Sequence, residues 1–345
     1  MHHIAIDLGS VKSQVCVRDS SAKIVQEKAI ATAELGNWFK EQSAGRVIME
    51  TCTESYAVAR LAKACGHDVR VVAATLVKQL GVGERRLKND QRDARKLSEA
   101  SVRMELTGVH VASPEAQQMQ LVCGLRESLV QARTKLINSA KAYVRGTLTV
   151  LAKGDAETTP RRVRAAMGMQ LPNSVERVLV SIEALNEQIK QADKEARQLA
   201  KKNPLCARLQ TAPGIGPITA LRFVARVDGV ERFPNAHYLE SYLGLTPSDS
   251  STGKTQNRFG SITKAGDKKL RWTLVQAALS AKRHYPQDPA VSWAINVGKR
   301  RGKHVATVAL ARKLAGIMYA MLRDGSDYDP KKMTEPRWKQ LMNLA

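Results

Sequence analysis

Cysteine is sparse and unpaired in this chain. Its five copies, Cys16, Cys52, Cys65, Cys123 and Cys206, are scattered and odd in number, and no Cys-x-x-Cys occurs. Neither a disulfide framework nor a cysteine-built zinc site is implied, and a reducing cytoplasm is the expected compartment. No apolar run reaches the roughly 18 residues that a membrane span needs. The N-terminus runs directly into a strand-like segment rather than a secretory leader. No repeat of fixed period and no low-complexity tail is visible. Negative charge is also short: 32 Asp and Glu face 55 Lys and Arg, for a net charge of +23. Such an excess favours a polyanionic partner, and phosphate backbones are the commonest one.

What is present is enough for two or three domains, 345 residues with 43% hydrophobic content. The pattern predicts strands at 4–7, 14–18 and 24–30 joined by short polar turns, a helix at 33–42 and a buried strand at 47–50. A helix at 55–66 stopped by Gly66 follows, then a short strand at 69–72 and a helix at 90–106. Three strands, helix, strand, helix, strand is the order of an RNase H-like fold, so residues 1–112 read as an α/β domain. Residues 113–205 are mostly helical. Ser113-Pro114-Glu115 is a helix start, and Leu121, Leu125, Leu129, Ala132, Leu136, Ala140 and Tyr143 mark one apolar face. Val178, Ile182, Leu185, Ile189, Ala192, Ala196 and Leu199 alternate in steps of 4 and 3, a heptad seam. A coiled coil between protomers and a hairpin within one chain both fit; the narrow seam and charged flanks favour the first. Asn203-Pro204 breaks this helix. Residues 206–345 are mainly helical, with a Gly/Ser/Thr-rich loop at 248–261.

Four acids stand out against the basic background. Asp7 closes the run Ile4-Ala5-Ile6, and Glu50 closes Val47-Ile48-Met49. Asp90 and Asp93 form Asp-x-x-Asp on a helical turn. In the RNase H-like order the first and fourth strands are central neighbours, which brings Asp7 and Glu50 together. Carboxylates so placed suit Mg²⁺, which takes a few carboxylates plus water and phosphate oxygens. Two such ions about 4 Å apart clamp a phosphodiester during displacement.

Ala212-Pro213-Gly214-Ile215-Gly216-Pro217 resembles a helix-hairpin-helix turn. Gly214 and Gly216 there expose backbone amides to a phosphate; a tight turn between packed helices is the alternative. From Thr252 to Lys313 only two acids, Asp267 and Asp288, accompany fourteen basic residues. Lys254, Arg258, Lys264, Lys268, Lys269, Arg271, Arg300, Arg301 and Lys303 are the candidate nucleic-acid contacts. Trp272 and Trp293 lie in the same stretch and are expected in a core. The dispersed histidines are read as structural, and Tyr242 as a packing residue. Just upstream, Ser250-Ser251-Thr252-Gly253 forms a hydroxyl cluster, flanked by cations, that can attack phosphorus covalently.

Asp7, Glu50, Lys88-x-Asp90-x-x-Asp93, Pro213-Gly214-Ile215-Gly216, Leu243-Gly244-Leu245-Thr246-Pro247, the Ser250–Gly253 loop and Ile262-Thr263-Lys264-Ala265-Gly266 occur in this order. Together they resemble the transposases of the insertion-sequence one-ten family, relatives of the Piv DNA invertases, over essentially the whole chain. The resemblance implies a RuvC-like domain at 1–112 whose Asp7, Glu50, Asp90 and Asp93 bind Mg²⁺, with Mn²⁺ as a substitute. It implies a coiled-coil segment at 113–205 that joins protomers into a dimer or tetramer on DNA. It implies a transposase domain at 206–345 whose serine links to DNA, in composite sites with the RuvC-like domain. Donor and target double-stranded DNA, and a structured non-coding bridge RNA, are the partners it implies, in the bacterial cytoplasm and at the nucleoid. The family's serine sits directly before the glycine. Here that position is Thr252, with Ser251 and Ser250 upstream; Ser251 is favoured because Thr252 is bulkier.

The alternative is a metal-dependent nuclease of Holliday-junction resolvase type with water as nucleophile, which leaves the serine loop unused. Ile4–Ser10 also resembles the phosphate loop of actin-like ATPases, without the downstream loops such a fold needs. An architectural binder has no use for the clustered acids.

Overall fold

The computed structural model describes residues 1–79, 90–249 and 259–333. Two compact units result, Met1–Ala112 and Ser113–Ala345.

The first unit is a five-stranded sheet. β1 (His3–Asp7), β2 (Lys12–Arg18) and β3 (Ile24–Ala31) form an antiparallel meander, because each short polar turn allows immediate reversal. α1 (Leu35–Glu41) then crosses over, so β4 (Arg46–Glu50) pairs parallel to β1. α2 (Ser55–Ala64) repeats the crossover, and β5 (Asp68–Val72) pairs parallel to β4. The sheet order is β3-β2-β1-β4-β5, the RNase H-like arrangement. α3 (Ala74–Gln79), which the pattern does not predict, and α4 (Asp90–Arg103) follow.

Both sheet faces are covered, which explains why the central strands read as continuous apolar runs. Ile4, Ile6, Val47, Met49 and Val71 pack on Trp38, Phe39, Val58, Ala59 and Ala62 of α1 and α2. The alternate residues Ala5, Ile48 and Val72 pack on Leu97 and Ala100 of α4 and on Leu106. The period of two along each strand therefore assigns Asp7 and Glu50 to the α4 face.

The second unit starts with α5 (Pro114–Gly146), whose first turn is capped by the Ser113 hydroxyl accepting from the Ala116 N–H at 3.1 Å. α6 (Thr159–Met167) closes the far end, and α7 (Asn173–Lys202) runs back along α5. Leu179 and Ile182 of α7 pack on Ile137, Ala140 and Val144 of α5 and on Val163 of α6. Arg133 donates to Asn186 at 3.0 Å, and Arg126 pairs with Asp193. The α7 seam is thus occupied within the chain.

The α5 face differs from expectation. Leu121 and Leu125 are each 59% exposed, whereas Met119 and Cys123 are buried. Positions two residues apart lie about 200° apart around a helix. Met119 and Cys123, at the root of α5, instead join the core that includes α9 (Pro217–Val227).

α8 (Pro204–Leu209) begins at the predicted break, with Asn203 accepting from the Leu205 and Cys206 amides. The core nevertheless continues across it. Ala196 and Ala200 of α7 share one cluster with α8, α9 and α10 (Ala236–Tyr242), and with α11 (Lys268–His284), α12 (Pro289–Arg301) and α13 (Lys303–Asp324). Between α10 and α11 lies a two-stranded hairpin of β6 (Pro247–Asp249) and β7 (Phe259–Ile262). Among the described residues α13 alone is long and apolar enough to cross a membrane. Its Leu310, Ala311, Leu314 and Met318 are fully buried in this core.

Candidate active site and nucleic-acid surface

β1 and β4 run parallel with Ile6 opposite Met49, so the next positions, Asp7 and Glu50, emerge side by side at the strand ends. α4 lies on their face and runs against β1. Its far end is tied to the start of β1 by a hydrogen bond of 2.8 Å between His3 Nδ1 and Ser101 Oγ. Four residues from His3 to Asp7 rise about 13 Å along a strand, and eight residues from Ser101 back to Asp93 span about 12 Å of helix. Asp93 therefore lies toward the end of β1 that carries Asp7.

The helix is also fixed in rotation. Its Arg95 and Gln91 hold Glu27 of β3, at 2.5 and 2.9 Å, and Arg18 of β2 donates to Ser98 at 2.9 Å. Arg95 beside Glu27 holds that carboxyl below its ordinary range. Leu97 and Ala100, on the other flank, face β1, β4 and β5. Asp93 belongs to this second flank, since i, i+4 and i+7 share a side of a helix.

Asp7, Glu50 and Asp93 are each partly exposed. Glu50 and Asp93 make no salt bridge among the described residues. Asp90 opens α4, and its side chain lies outside the described residues. Among the described residues no three His, Cys, Asp or Glu side chains already enclose a common metal position. A closed cage is not what Mg²⁺ needs: one or two carboxylates, with water and substrate phosphates completing the shell, are the usual arrangement. The donor set here is all hard oxygen at adjacent strand ends and fits such an ion.

In the second unit, Ser250, Ser251, Thr252, Lys254 and Arg258 lie outside the described residues. β6 and β7, which flank them in the chain, are tied together at their base. Thr263 donates its N–H to the Thr246 carbonyl at 2.9 Å, and Lys264 donates to Gly244 at 3.2 Å. Gly244 and Gly266 have φ of +66° and +78°, and a Cβ on either would stand 1.9 or 2.0 Å from the Ala265 or Tyr242 carbonyl oxygen. This approach explains the glycines in Leu243–Pro247 and Ile262–Gly266, which are two sides of one clamp.

Arg271 completes the clamp. Its guanidinium donates to the Leu243 carbonyl at 3.1 Å and the Ala265 carbonyl at 2.7 Å, and the residue is 9% exposed. The expectation that Arg271 contacts nucleic acid is corrected: its charge is spent on two backbone carbonyls. No sequence signal separates it from its neighbours Lys268 and Lys269, which are exposed, as are Lys264, Arg300, Arg301 and Lys303.

Two other placements differ from expectation. Trp272 and Trp293 are 57% and 41% exposed rather than in a core. Lys313 Nζ sits 4.5 Å from the Trp293 ring centroid, a cation–π contact that accommodates the half-covered ring. Gly214, with φ of +76°, has its α-carbon against α11, where a Cβ would lie 2.4 Å from the Ala277 carbonyl. Gly216 caps α9 and faces open space. Gly214 thus serves the packed turn, and only Gly216 stands where a phosphate can approach. Tyr242 packs on Phe233 with ring centroids 5.3 Å apart, as expected.

Residues 4–149 match the DEDD transposase family of IS110, and residues 206–291 match the family described as Transposase IS116/IS110/IS902 family. The chain is 30% identical over 312 residues to the “Putative transposase y4pF/y4sB” of Sinorhizobium fredii, covering 88% of this chain and 79% of that protein. The chain belongs to the IS116/IS110/IS902 transposase family. It is also 29% identical to the transposase for insertion sequence element IS1111A of Coxiella burnetii, over 94% of this chain and 90% of that one. The first matched stretch holds all four acids of this IS110-type transposase, and the second holds the hairpin clamp and its loop. A domain of this class points to a divalent metal ion.

Proposed function

We propose that this transposase cuts and rejoins the DNA strands at the ends of its mobile element through a transient bond between a loop hydroxyl and DNA phosphorus. The observation that supports the reading is the pairing of β1 with β4, which sets Asp7 and Glu50 side by side on the sheet face that α4 covers, in a chain of net charge +23.

Asp7, Glu50, Asp90 and Asp93 would hold Mg²⁺, with Mn²⁺ as a substitute. Such an ion would supply charge neutralisation at the phosphate, and a carboxylate would take the hydroxyl proton. The chain's own part is to hold the strand and deliver the nucleophile. Exposed Lys264, Lys268, Lys269, Arg300, Arg301 and Lys303 grip phosphates without reading sequence. The clamp of Arg271, Gly244 and Gly266 holds the base of the hairpin whose loop carries Ser250, Ser251 and Thr252. The hydroxyl oxygen, Ser251 being favoured, bonds to phosphorus as one phosphorus–oxygen bond of the strand breaks. The released strand end leaves as a hydroxyl after taking a proton. A hydroxyl from a second strand then attacks the same phosphorus, restoring the serine. No external energy source is consumed.

Sequence specificity from a structured bridge RNA, with donor and target duplexes as substrates, rests on the family resemblance. Self-association into a dimer or tetramer is supported by the exposed Leu121 and Leu125 on the outer face of α5. Replacing Ser250, Ser251 and Thr252 together by alanine is expected to abolish recombination and the covalent protein–DNA adduct on a nicked substrate while DNA binding persists. Full recombination by that variant ends the reading. Sequencing RNA that co-purifies with the protein tests the guide.

A further inference from the structure

A cleft of about 460 Å³ opens beside the hairpin base, between β6 and β7 on one side and the start of α13 on the other. This lies within the range of small-ligand sites, about 300–1,000 Å³. Its floor is apolar: Leu245 and Ile262 from the hairpin, Val305, Val308 and Ala309 from α13. Its rim carries Arg301 and Arg312, with the His304 imidazole beside them. Arg312 is committed to the protein, donating to Glu240 at 2.6 Å and lying 3.3 Å from His237 Nδ1. Arg301 and His304 are exposed and have no carboxylate partner among the described residues. Lys299, Arg300 and Lys303 extend the same charge around the bend between α12 and α13.

The apolar floor, with Arg301 and the His304 imidazole at its rim, matches one chemistry, a flat apolar ring joined to a phosphate. A stacked duplex cannot offer its bases to such a slot; an unpaired nucleotide can. A peptide with an acidic residue would meet the rim but offers no ring to the floor. We infer that this cleft receives a nucleobase unstacked from the DNA strand that the neighbouring hairpin engages, with Arg301 and His304 on the flanking phosphates. The inference builds on the reading that the hairpin presents its loop to DNA. It adds a site that fixes one nucleotide beside the scissile phosphate, so that strand position is set by a seated base as well as by backbone charge.

The test uses the full chain and two short single-stranded DNA oligonucleotides with equal phosphate counts, one bearing thymine bases and one abasic throughout. Fluorescence anisotropy measures both affinities. The base-bearing strand is expected to bind at least about fivefold tighter, the lower end for one seated base. Val305→Gln, which makes the floor polar at a half-exposed position, and Ala309→Leu, which fills it, are each expected to bring that ratio below about twofold while abasic binding holds. Trp272→Ala is expected to leave the ratio unchanged. Equal binding of the two strands by the unaltered protein overturns the inference. So does a ratio that survives both cleft variants, a ratio lost in Trp272→Ala instead, or base dependence confined to RNA strands of the same sequence. No strand is cut in this measurement, so a chain that shows the ratio but forms no covalent adduct refutes the serine chemistry and not the cleft.

Discussion

Arg271 offers the sharpest test of the C-terminal half, because charge patterning and tertiary structure assign it opposite roles. Arg271→Met keeps the length and the apolar stem and removes every donor. The carbonyls of Leu243 and Ala265, now bonded at 3.1 and 2.7 Å, lose their partner at a site only 9% exposed. The buried Leu243 carbonyl left without a donor costs about 1–3 kcal/mol, and the part-buried Ala265 carbonyl and the lost packing add to it, so the substitution is expected to destabilise the second unit by about 2–5 kcal/mol. For a unit of this size a kilocalorie shifts the melting temperature by about 2–4 °C, giving a drop of about 5–15 °C by calorimetry. Lys269→Met, two residues away on the exposed side of α11, is the comparison. It is expected to change stability by no more than about 0.5 kcal/mol. Its loss of a phosphate contact is expected to lower the slope of log affinity against log salt by about 0.9. The reasoning is refuted if Arg271→Met melts with the unaltered protein and instead lowers the salt slope by about one.

Asp7→Asn, Glu50→Gln and Asp93→Asn are each expected to cut strand cleavage at least about 100-fold, near 3 kcal/mol of barrier, with DNA affinity held or raised; a single turnover assay in Mg²⁺ reads this, and unchanged cleavage in any of them removes that acid from the site. Gly214→Ala places a Cβ 2.4 Å from the Ala277 carbonyl and is expected to cost about 2–4 kcal/mol, whereas Gly216→Ala, in open space, is expected to cost less than about 1 kcal/mol; urea denaturation of both variants decides it. Burial, with Arg46 nearby, holds the His3 imidazole below its ordinary value of 6.5. The unfolded chain then takes up a proton below pH 6.5 that the folded chain refuses, so stability is full above 6.5 and falls as the pH drops beneath it. Relative to His3→Gln, the unaltered protein is expected to lose stability between about pH 7.5 and about pH 5.5 in urea titrations, and a relative gain refutes the assignment.

Much of the first unit was legible because its signals are local. The meander followed from three short strands with polar turns, and the parallel strands from apolar runs separated by helical ones. Asp7 and Glu50 were found because each is the acidic end of a buried run. α3 was missed because six residues carry too little periodicity to register. The second unit was harder. Leu121 and Leu125 repeat as regularly as the residues that are buried, so spacing marks an apolar stripe but not its partner. Trp272 and Trp293 illustrate the limit of residue type: large rings are usually covered, yet both are exposed here, Trp293 with Lys313 over its ring.

By itself, the sequence determined the order of the five strands and their crossover helices in the first unit, the acids at the ends of the central strands and the excess of positive charge, since each depends on chain-neighbouring residues and their periodicity. It also placed a hydroxyl loop between two glycine-bearing motifs. Only the tertiary structure decided that those motifs clamp one hairpin, that Arg271 is spent on backbone carbonyls while Lys268 and Lys269 remain at the surface, and that an apolar cleft stands beside the hairpin. Burial and hydrogen-bond partnership are set by segments distant in the chain, and α11 meets the residues before β6 only when the whole unit has closed around its core.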